Sequence, residues 1–456
     1  MMAKNTGEIE QVSYEFIPKK DRKGNPKELF FTWFAASTVS TTVVTGALTI
    51  ILGLNFWWAA IAIISGHFIG ATFMALHSAQ GPKLGLPQLI QSRAQFGFFG
   101  VIIPMVIVLT MYFGYGSMNT ILVGQGIKET LGFNVNIIIV LSLIPMVLLA
   151  IYGQHLIQKS MRIYTFFYVA LFIVLTSLLF IYIDIDMLHE GSFHIGAFIT
   201  SVSICITWQI TYGPYVSDHS RFMHPKDVKK TFIYTYMGSF LSSTWLMLLG
   251  AAIATTALNG NIMGAIKDMG MIGYVIVILL SLGVLVINSL NIYGAGIIVL
   301  SIASMFWNFK TSGRLRVIVY SVIGITLAIS STFGATNFMA YFQIYLEFVL
   351  FFIIPWSVIN LVDFYLLKRN NFMSEQYLTK HSKFGKINRK GVLVYFIVIM
   401  LQIPFVNTEL YQGIISLKMN GLDIAWMVGV LSAASFYISV MWLTKKDLSY
   451  ENITIK

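Results

Sequence analysis

The sequence is poor in charge and almost devoid of cysteine. Of its 456 residues, 11% are charged and 57% are hydrophobic. Soluble domains carry about 25% charged residues, so this composition excludes the common classes of soluble enzyme. The single cysteine, Cys205, excludes an intrachain disulfide framework. The bases form no stripe on a polar module, so we expect no nucleic-acid partner.

Long apolar runs bounded by charges are what the sequence has in abundance. A helix that crosses a bilayer needs about 20 such residues. We therefore predict an all-α polytopic membrane protein with twelve transmembrane helices, spans 1 to 12, in contact with the lipid bilayer. The polar stretch from His155 to Arg162 alone separates spans 4 and 5. The predicted limits are 29–53, 57–79, 101–126, 136–153, 163–183, 196–216, 231–257, 271–308, 317–333, 338–367, 391–411 and 422–444.

The distribution of basic residues predicts the orientation of the spans. If the N-terminus is cytoplasmic, 27 of the 30 bases fall on the cytoplasmic side. Lys128, Lys267 and Lys418 then lie outside. Because cytoplasmic loops of membrane proteins are enriched in Lys and Arg, we expect a multi-pass protein of the cell membrane with both termini cytoplasmic.

Small and polar residues interrupt spans 1 and 6. The run from Ala35 to Thr42 in span 1 is compatible with a broken helix or with close helix packing. In span 6 the pair Gly213-Pro214 follows Trp208 and Gln209. Proline removes a backbone donor and clashes with the preceding turn, which predicts a kink or a break. Discontinuous helices in corresponding positions are typical of inverted-repeat transporters.

Aromatic and amide side chains share helix faces in spans 3 and 8. Tyr112, Tyr115 and Asn119 follow the spacing i, i+3, i+7, and Asn288 and Asn291 share a face of span 8. Aromatic rings contact the face of a planar heterocycle, and carboxamides bind its polar edge. The alternative interpretation of the aromatic residues is ordinary helix packing.

Two titratable residues lie inside spans. Glu347 lies in the outer third of span 10 and is a candidate proton carrier, unless it reaches water at the outer interface. His67 in span 2 is a lone histidine, for which we favour a packing role.

Three motifs resemble signatures of the nucleobase–cation symporter-1 family, closest to its purine–cytosine permease branch. They are Gly81–Gln88 with Ser92-Arg93 and Phe96-Gly97, then Pro214–Phe222, then Asp363–Arg369. The resemblance implies a leucine-transporter-like fold of two inverted five-helix repeats, with discontinuous helices 1 and 6, plus two C-terminal helices. The corresponding segments are the tail 1–28, the repeats 29–183 and 196–367, the basic loop 368–390, spans 11 and 12 at 391–444, and the tail 445–456.

The resemblance also implies substrate-binding positions. The aromatic residue of span 3 that stacks on the substrate corresponds to Tyr112, and the polar position four residues later is Gly116 here. The stacking position of span 6 falls on Trp208 or Gln209. The amide position of span 8 falls on Asn288 or Asn291.

The family's sodium site is incomplete in this sequence. Its span 1 carbonyls correspond to Ala35 and Thr38, whereas its two adjacent hydroxyl positions in span 8 correspond to Val286 and Ile287. A shifted register recruits Ser289 alone. Hard cations need several oxygen ligands, so we expect proton coupling in preference to sodium. We expect no cofactor and no required protein partner.

The expected function is therefore uptake of a purine or cytosine by cation symport through alternating access. Related heterocycles, such as allantoin, hydantoin, thiamine or a vitamin B6 precursor, fit the same aromatic residues. A channel or a transporter-derived sensor is a further alternative. An intramembrane enzyme would need a nucleophile–base pair or a metal cluster, and the spans contain no such motif.

Overall fold

The computed structural model describes residues 16–257, 260–307, 312–367, 377–378 and 383–443. Within these ranges the protein is helical, and its only extended pairings are the isolated bridges Gly24–Met223 and Asn407–Gln412. Of the predicted segments, the tail 445–456, residues 1–15 of the N-terminal tail and most of the loop 368–390 lie outside the described residues.

The helices that correspond to the predicted spans are numbered α1 to α12, with α1 and α6 each in two parts. They are α1a Lys27–Ser37, α1b Ser40–Ile51, α2 Phe56–Ser78, α3 Ile102–Leu131, α4 Val135–Tyr152, α5 Gln154–Tyr182, α6a Ile195–Ile210, α6b Gly213–Ser220, α7 Val228–Ala254, α8 Gly270–Phe306, α9 Gly313–Gly334, α10 Phe338–Leu361, α11 Arg389–Gln402 and α12 Ala425–Leu443.

Eleven of the twelve predicted spans are long and apolar enough to cross a membrane, if α1a and α1b count as one. The remaining predicted span is span 11. Its helix, α11, has 14 residues and continues as a 3-residue 3-10 turn, Ile403–Phe405. Span 11 therefore ends earlier than the predicted residue 411. Pro404 follows closely, and proline cannot continue a regular helix. The all-α polytopic fold is as predicted.

Span 1 is broken, as its small and hydroxyl residues allowed. The axes of α1a and α1b differ by 63°, and Val39 between them has extended backbone with φ −143° and ψ 155°. The hydroxyl of Thr42 donates to the carbonyl of Ser37 at 2.5 Å, and that of Thr38 donates to Phe34 O at 2.7 Å. Span 6 is interrupted at Thr211 and Tyr212 but bends less, so that Ile195–Ser220 forms one span.

The predicted limits of spans 4 and 5 agree with the apolar segments Val135–Tyr152 and Ile163–Tyr182. The stretch from His155 to Arg162 is helical and belongs to the first turns of α5. Gly153 alone separates α4 from α5, with φ +97°. Because glycine tolerates this backbone conformation without steric cost, one residue suffices for the turn.

The helices pack as two groups of four. The first group contains α1, α2, α6 and α7, and the second contains α3, α4, α8 and α9. Each group combines two helices from each predicted repeat. Helix α10 packs on α6a and α3 as well as on α11 and α12, which pack against each other.

The N-terminal segment 16–26 is built into one end of the helices, here called the N-side. The guanidinium of Arg22, 2% exposed, donates to Pro82 O at 2.7 Å. The amide of Gly24 donates to Phe222 O at 2.9 Å. The same end carries residues 385–388, since Asn388 N donates to Phe96 O at 2.9 Å. The N-side therefore gathers the 2–3, 6–7 and 10–11 connections.

Candidate functional site

One face of α3 brings two tyrosines to the break in α6. The ring of Tyr112 stacks on Tyr215 of α6b, with centroids 6.0 Å apart and planes 24° apart. Its other neighbour is Gly294 of α8, where an added Cβ would lie 2.5 Å from the tyrosine Cζ. Tyr112 therefore lies between the two helix groups, with α6b on one side and α8 on the other.

Tyr115, one turn further along α3, contacts α6a and α10. Its ring meets Trp208 edge to face at 5.7 Å and Tyr345 at 5.4 Å. Its hydroxyl lies 3.4 Å from the Thr211 hydroxyl at the interruption of α6. Tyr345 is itself fixed, because its hydroxyl donates to Met111 O of α3 at 2.9 Å.

Trp208 and Gln209 point in different directions. Trp208 faces the aromatic residues of α3, is 4% exposed, and has a buried indole Nε1 with no acceptor among the described residues. Gln209 faces α2 and α7, where its amide nitrogen lies 3.1 Å from His67 Nδ1 and its oxygen accepts from Ser239. Of the two alternatives for span 6, the structure places Trp208 with the aromatic set and Gln209 inside the first helix group.

A buried amide network joins α1b, α3 and α8. Asn288 is fully buried, and its nitrogen donates to Gly116 O and to the Thr120 hydroxyl at 2.9 Å each. Its oxygen accepts from Asn291 at 3.0 Å and from Asn119 at 3.5 Å. The oxygen of Asn119 in turn accepts from the Thr41 hydroxyl of α1b. Asn288 thus has its hydrogen-bonding capacity filled within the protein, whereas Asn291 is half-buried.

The predicted cation positions lie on α1a, at the break in α1, and on α8. The carbonyl of Ala35 accepts from Thr38 N at 3.0 Å. The Ser289 hydroxyl donates to Leu285 O of its own helix at 2.8 Å. Val286 and Ile287 are half-buried and apolar. No group of three or more His, Cys, Asp or Glu side chains suited to a metal ion occurs in the described residues.

Glu347 lies on α10 but not on its Tyr345 side, because two residues along a helix turn by about 200°. One carboxylate oxygen accepts from Gln343 at 3.0 Å. The other, Oε2, is buried without a hydrogen-bond partner in the described chain. The acids that face it, Glu409 and Asp423, belong to the connection between α11 and α12. The carboxyl is therefore placed beside this connection and outside the aromatic set.

The sequence reasoning did not single out Tyr215 or Tyr345, which close the aromatic set from α6b and α10. Tyr215 does lie inside the motif Pro214–Phe222, which offered a signal. Tyr345 lies in a run of aromatic and aliphatic residues without periodicity, so no local pattern marks it. Its contact with α3 requires Gly114, where an added Cβ would lie 1.9 Å from the Tyr345 ring.

The chain has relatives among known proteins. A family model described as "Permease for cytosine/purines, uracil, thiamine, allantoin" matches residues 16–429. A Bacillus subtilis (strain 168) protein named putative purine-cytosine permease YxlA is 36% identical over 453 residues, which is 97% of this chain and 98% of the relative. The chain belongs to the nucleobase–cation symporter-1 family. The resemblance inferred from the three motifs is confirmed, and this symporter-family protein is a transporter rather than an enzyme.

Solved structures show that this symporter-family protein has the predicted fold. The transporter Mhp1, in a closed conformation with bromovinylhydantoin bound, matches with a TM-score of 0.76 at 15% identity and covers 97% of each chain. Inward-facing Mhp1 also gives a TM-score of 0.76. A sodium-coupled sialic acid symporter gives 0.54 at 12% identity. Among more distant relatives, purine-cytosine permease FCY2 of Saccharomyces cerevisiae is 28% identical over 58% of this chain and 50% of its own.

For this symporter-family protein, we predict that Asn288→Ala lowers thermal stability in the absence of substrate. The change removes the acceptor of the Asn119 and Asn291 amide nitrogens, at a cost of about 1–3 kcal/mol for a buried unsatisfied group. Asn291→Ala is the matched control, because Asn291 is half-buried and its amide nitrogen donates to Asn288. Fluorescence-detected size-exclusion chromatography after heating measures the melting temperature of both variants. Equal melting temperatures for the two variants would contradict the structural role of Asn288.

Proposed function

We propose that this protein is a secondary active transporter that imports a nucleobase-like planar heterocycle, a purine or cytosine, by cation symport. The observation that carries the proposal is the aromatic set at the α6 interruption, which includes a buried indole donor without an acceptor in the described chain. The names of the Bacillus subtilis and yeast relatives, both purine-cytosine permeases, favour the same substrate class.

Two rings would contact the faces of the substrate, namely Tyr112 and Tyr115. Purines and cytosine carry ring nitrogens and carbonyl oxygens in the plane of the ring, which accept hydrogen bonds. Trp208 Nε1 would donate to one of these acceptors, and the half-buried Asn291 amide would bind another part of the same edge. Gly116 contributes no side chain to the site, and an added Cβ there would lie 2.9 Å from Leu327 Cδ2.

Transport would proceed by alternating access, with the two four-helix groups rocking against each other and α10 acting as a thin gate. The N-side would be cytoplasmic, in agreement with the distribution of basic residues. The contacts between the groups at the site are side-chain contacts, such as the Tyr112–Tyr215 stack, which can separate without unfolding either group.

Coupling would use a proton in preference to sodium. Val286 and Ile287 have no side-chain oxygen where the family's sodium site has hydroxyls, and the Ser289 hydroxyl donates within its own helix, so α8 lacks the pair of hydroxyl ligands of that site. Glu347 would be the proton carrier, because its Oε2 is buried without a partner in the described chain. Its position two residues from Tyr345 would connect protonation to the movement of α10.

Related heterocycles are the second candidate class of substrate. Allantoin, hydantoin, thiamine and vitamin B6 precursors are also compact rings with polar edges. A yeast relative named vitamin B6 transporter TPN1 is 24% identical over 46% of this chain and 38% of its own. A channel or a sensor is a less favoured alternative, and accumulation against a gradient separates it from a symporter.

Uptake of radiolabelled adenine, guanine, hypoxanthine, cytosine and uracil into vesicles tests the proposed function. We expect at least one base to accumulate above its external concentration, with competition by the others at micromolar levels. Thiamine, pyridoxine and allantoin in the same panel test the second class. If no nucleobase accumulates or competes, the assignment is wrong.

We predict that Trp208→Phe raises the KM for the transported base by about 2- to 10-fold, the effect of one net hydrogen bond. The variant keeps an aromatic ring and removes the indole donor, together with part of the ring surface. Trp442→Phe is the control, since Trp442 is 71% exposed on α12. Initial uptake rates over a range of base concentrations give the KM of both variants. An unchanged KM for Trp208→Phe would remove this donor from the substrate site.

We predict that uptake rises as the external pH falls and that Glu347→Gln abolishes this dependence. An amide keeps the size of the side chain but cannot release or take up a proton. Uptake measured between pH 5 and 8, with sodium replaced by choline at fixed pH in parallel, checks both parts. Loss of uptake in choline would contradict proton coupling, and a retained pH profile in the variant would exclude Glu347 as the carrier.

A further inference from the structure

Helix α10 carries a proline in its interior. Pro355 has no backbone N–H, so the carbonyl of Phe351, four residues earlier, loses its normal helical partner. In a membrane, a buried carbonyl without a donor is costly, and proline is tolerated where a neighbouring helix supplies the missing hydrogen bond. The carbonyl of Phe351 therefore needs a hydrogen-bond donor from another helix.

Helix α11 supplies the donor. The amide nitrogen of Gln402 donates to Phe351 O at 3.2 Å. One carbonyl further along, the hydroxyl of Tyr395 donates to Phe352 O at 3.1 Å. Gln402 is fully buried and Tyr395 is 2% exposed, so water does not compete for either carbonyl. Helix α11 thus holds the backbone of α10 just before the proline.

Helix α12 leaves space for this contact. An added Cβ at Gly429 would lie 2.4 Å from Gln402 Oε1 and 3.0 Å from Ile354 Cγ2. The absence of a side chain at Gly429 therefore lets the Gln402 amide reach α10. Helices α11 and α12 therefore both contribute to the packing around Pro355.

The two segments of α10 on either side of Pro355 make different contacts. Before the proline, Tyr345 donates to Met111 O of α3 at 2.9 Å, and Leu346 O accepts from the Thr207 hydroxyl of α6a at 3.3 Å. After it, Ser357 lies 2.8 Å from His77 Nε2 in the last turn of α2, and Asn360 Oδ1 accepts from Gln80 at 2.8 Å. The first segment therefore contacts both helix groups, and the second is held at the end of α2. Because proline interrupts the helical hydrogen bonds, Pro355 is the point at which these two segments can move relative to each other.

We propose that Gln402 is a positioning residue that replaces the helical donor missing at Phe351 O, holds the backbone of α10 beside Pro355 and thereby sets how readily the gate moves. The proposal rests on the proposed function, because it concerns the gate of the same transport cycle. It assigns a role to α11 and α12, which belong to neither four-helix group. Gln402 touches neither the aromatic set nor the amide network, so it acts through the backbone of α10 alone.

Gln402→Leu removes the donor and keeps the approximate volume of the side chain. We expect the maximal uptake rate to fall about tenfold, the scale of one lost buried hydrogen bond, with KM within about twofold of the unchanged protein. Gly429→Ala displaces the same amide and should reduce the rate in the same direction. Met400→Leu, at an exposed position of α11, is the matched control and should transport normally.

Pro355→Ala provides the decisive double-mutant cycle. Alanine restores a backbone N–H for Phe351 O, so the bond from Gln402 becomes redundant. We expect Gln402→Leu to have little further effect in the Pro355→Ala background. If the two substitutions reduce the rate independently, Gln402 does not act through Phe351 and the proposal is wrong.

A distance measurement separates this proposal from the substrate assignment. Spin labels attached at Tyr341→Cys and Leu366→Cys, exposed positions before and after Pro355, in a Cys205→Ala background report the geometry of α10 across the proline without any substrate. We expect Gln402→Leu to shift or broaden the distance distribution, and Pro355→Ala to cancel this change. An unchanged distribution would overturn the role of Gln402, whichever base the uptake panel identifies.

Discussion

Backbone carbonyls that lose their helical partners inside a membrane must find other donors, and this requirement shapes the structure wherever a span is interrupted. In α1, the Thr42 hydroxyl donates to Ser37 O at 2.5 Å, and the Tyr212 hydroxyl donates to Ala36 O at 3.3 Å. In α6, the Thr211 hydroxyl donates to Trp208 O at 2.8 Å. In α10, Gln402 donates to Phe351 O, the carbonyl that Pro355 leaves without a helical donor. The first two interruptions meet beside the aromatic set, because each supplies polar groups and space that an unbroken helix would not.

Close backbone contact explains why the first helix group can behave as a unit. An added Cβ at Gly46 would lie 2.0 Å from Met247 O, and one at Gly250 would lie 1.7 Å from Val43 O. Helices α1b and α7 therefore touch through their backbones, the packing that small residues permit in membranes. Between the groups, contact is made by longer side chains, as between Tyr112 and Tyr215 or Thr41 and Asn119. Such contacts can exchange partners, whereas the glycine contacts leave no space for sliding.

Apolar run length and charge distribution were enough to predict the spans, since both are summed over many residues. The errors were local. Pro404 ended span 11 early, and the polar stretch from His155 to Arg162, which separates spans 4 and 5, is helical because Gly153 alone makes the turn. At the site, helical spacing correctly put Tyr112, Tyr115 and Asn119 on one face. Which of the neighbours Trp208 and Gln209 faces the aromatic set could not be predicted, because it depends on a one-residue register. Tyr345 could not be found at all, because its position follows from the space left by Gly114 on another helix.

The N-terminal segment has a consequence for the order in which the protein is assembled. Arg22 binds the carbonyl of Pro82, and Gly24 binds that of Phe222, so residues made first are held by residues made much later. During synthesis this segment has no final position until α6 has left the ribosome. The contacts of residues 16–26 on the N-side are therefore complete only when residues of both repeats have folded together.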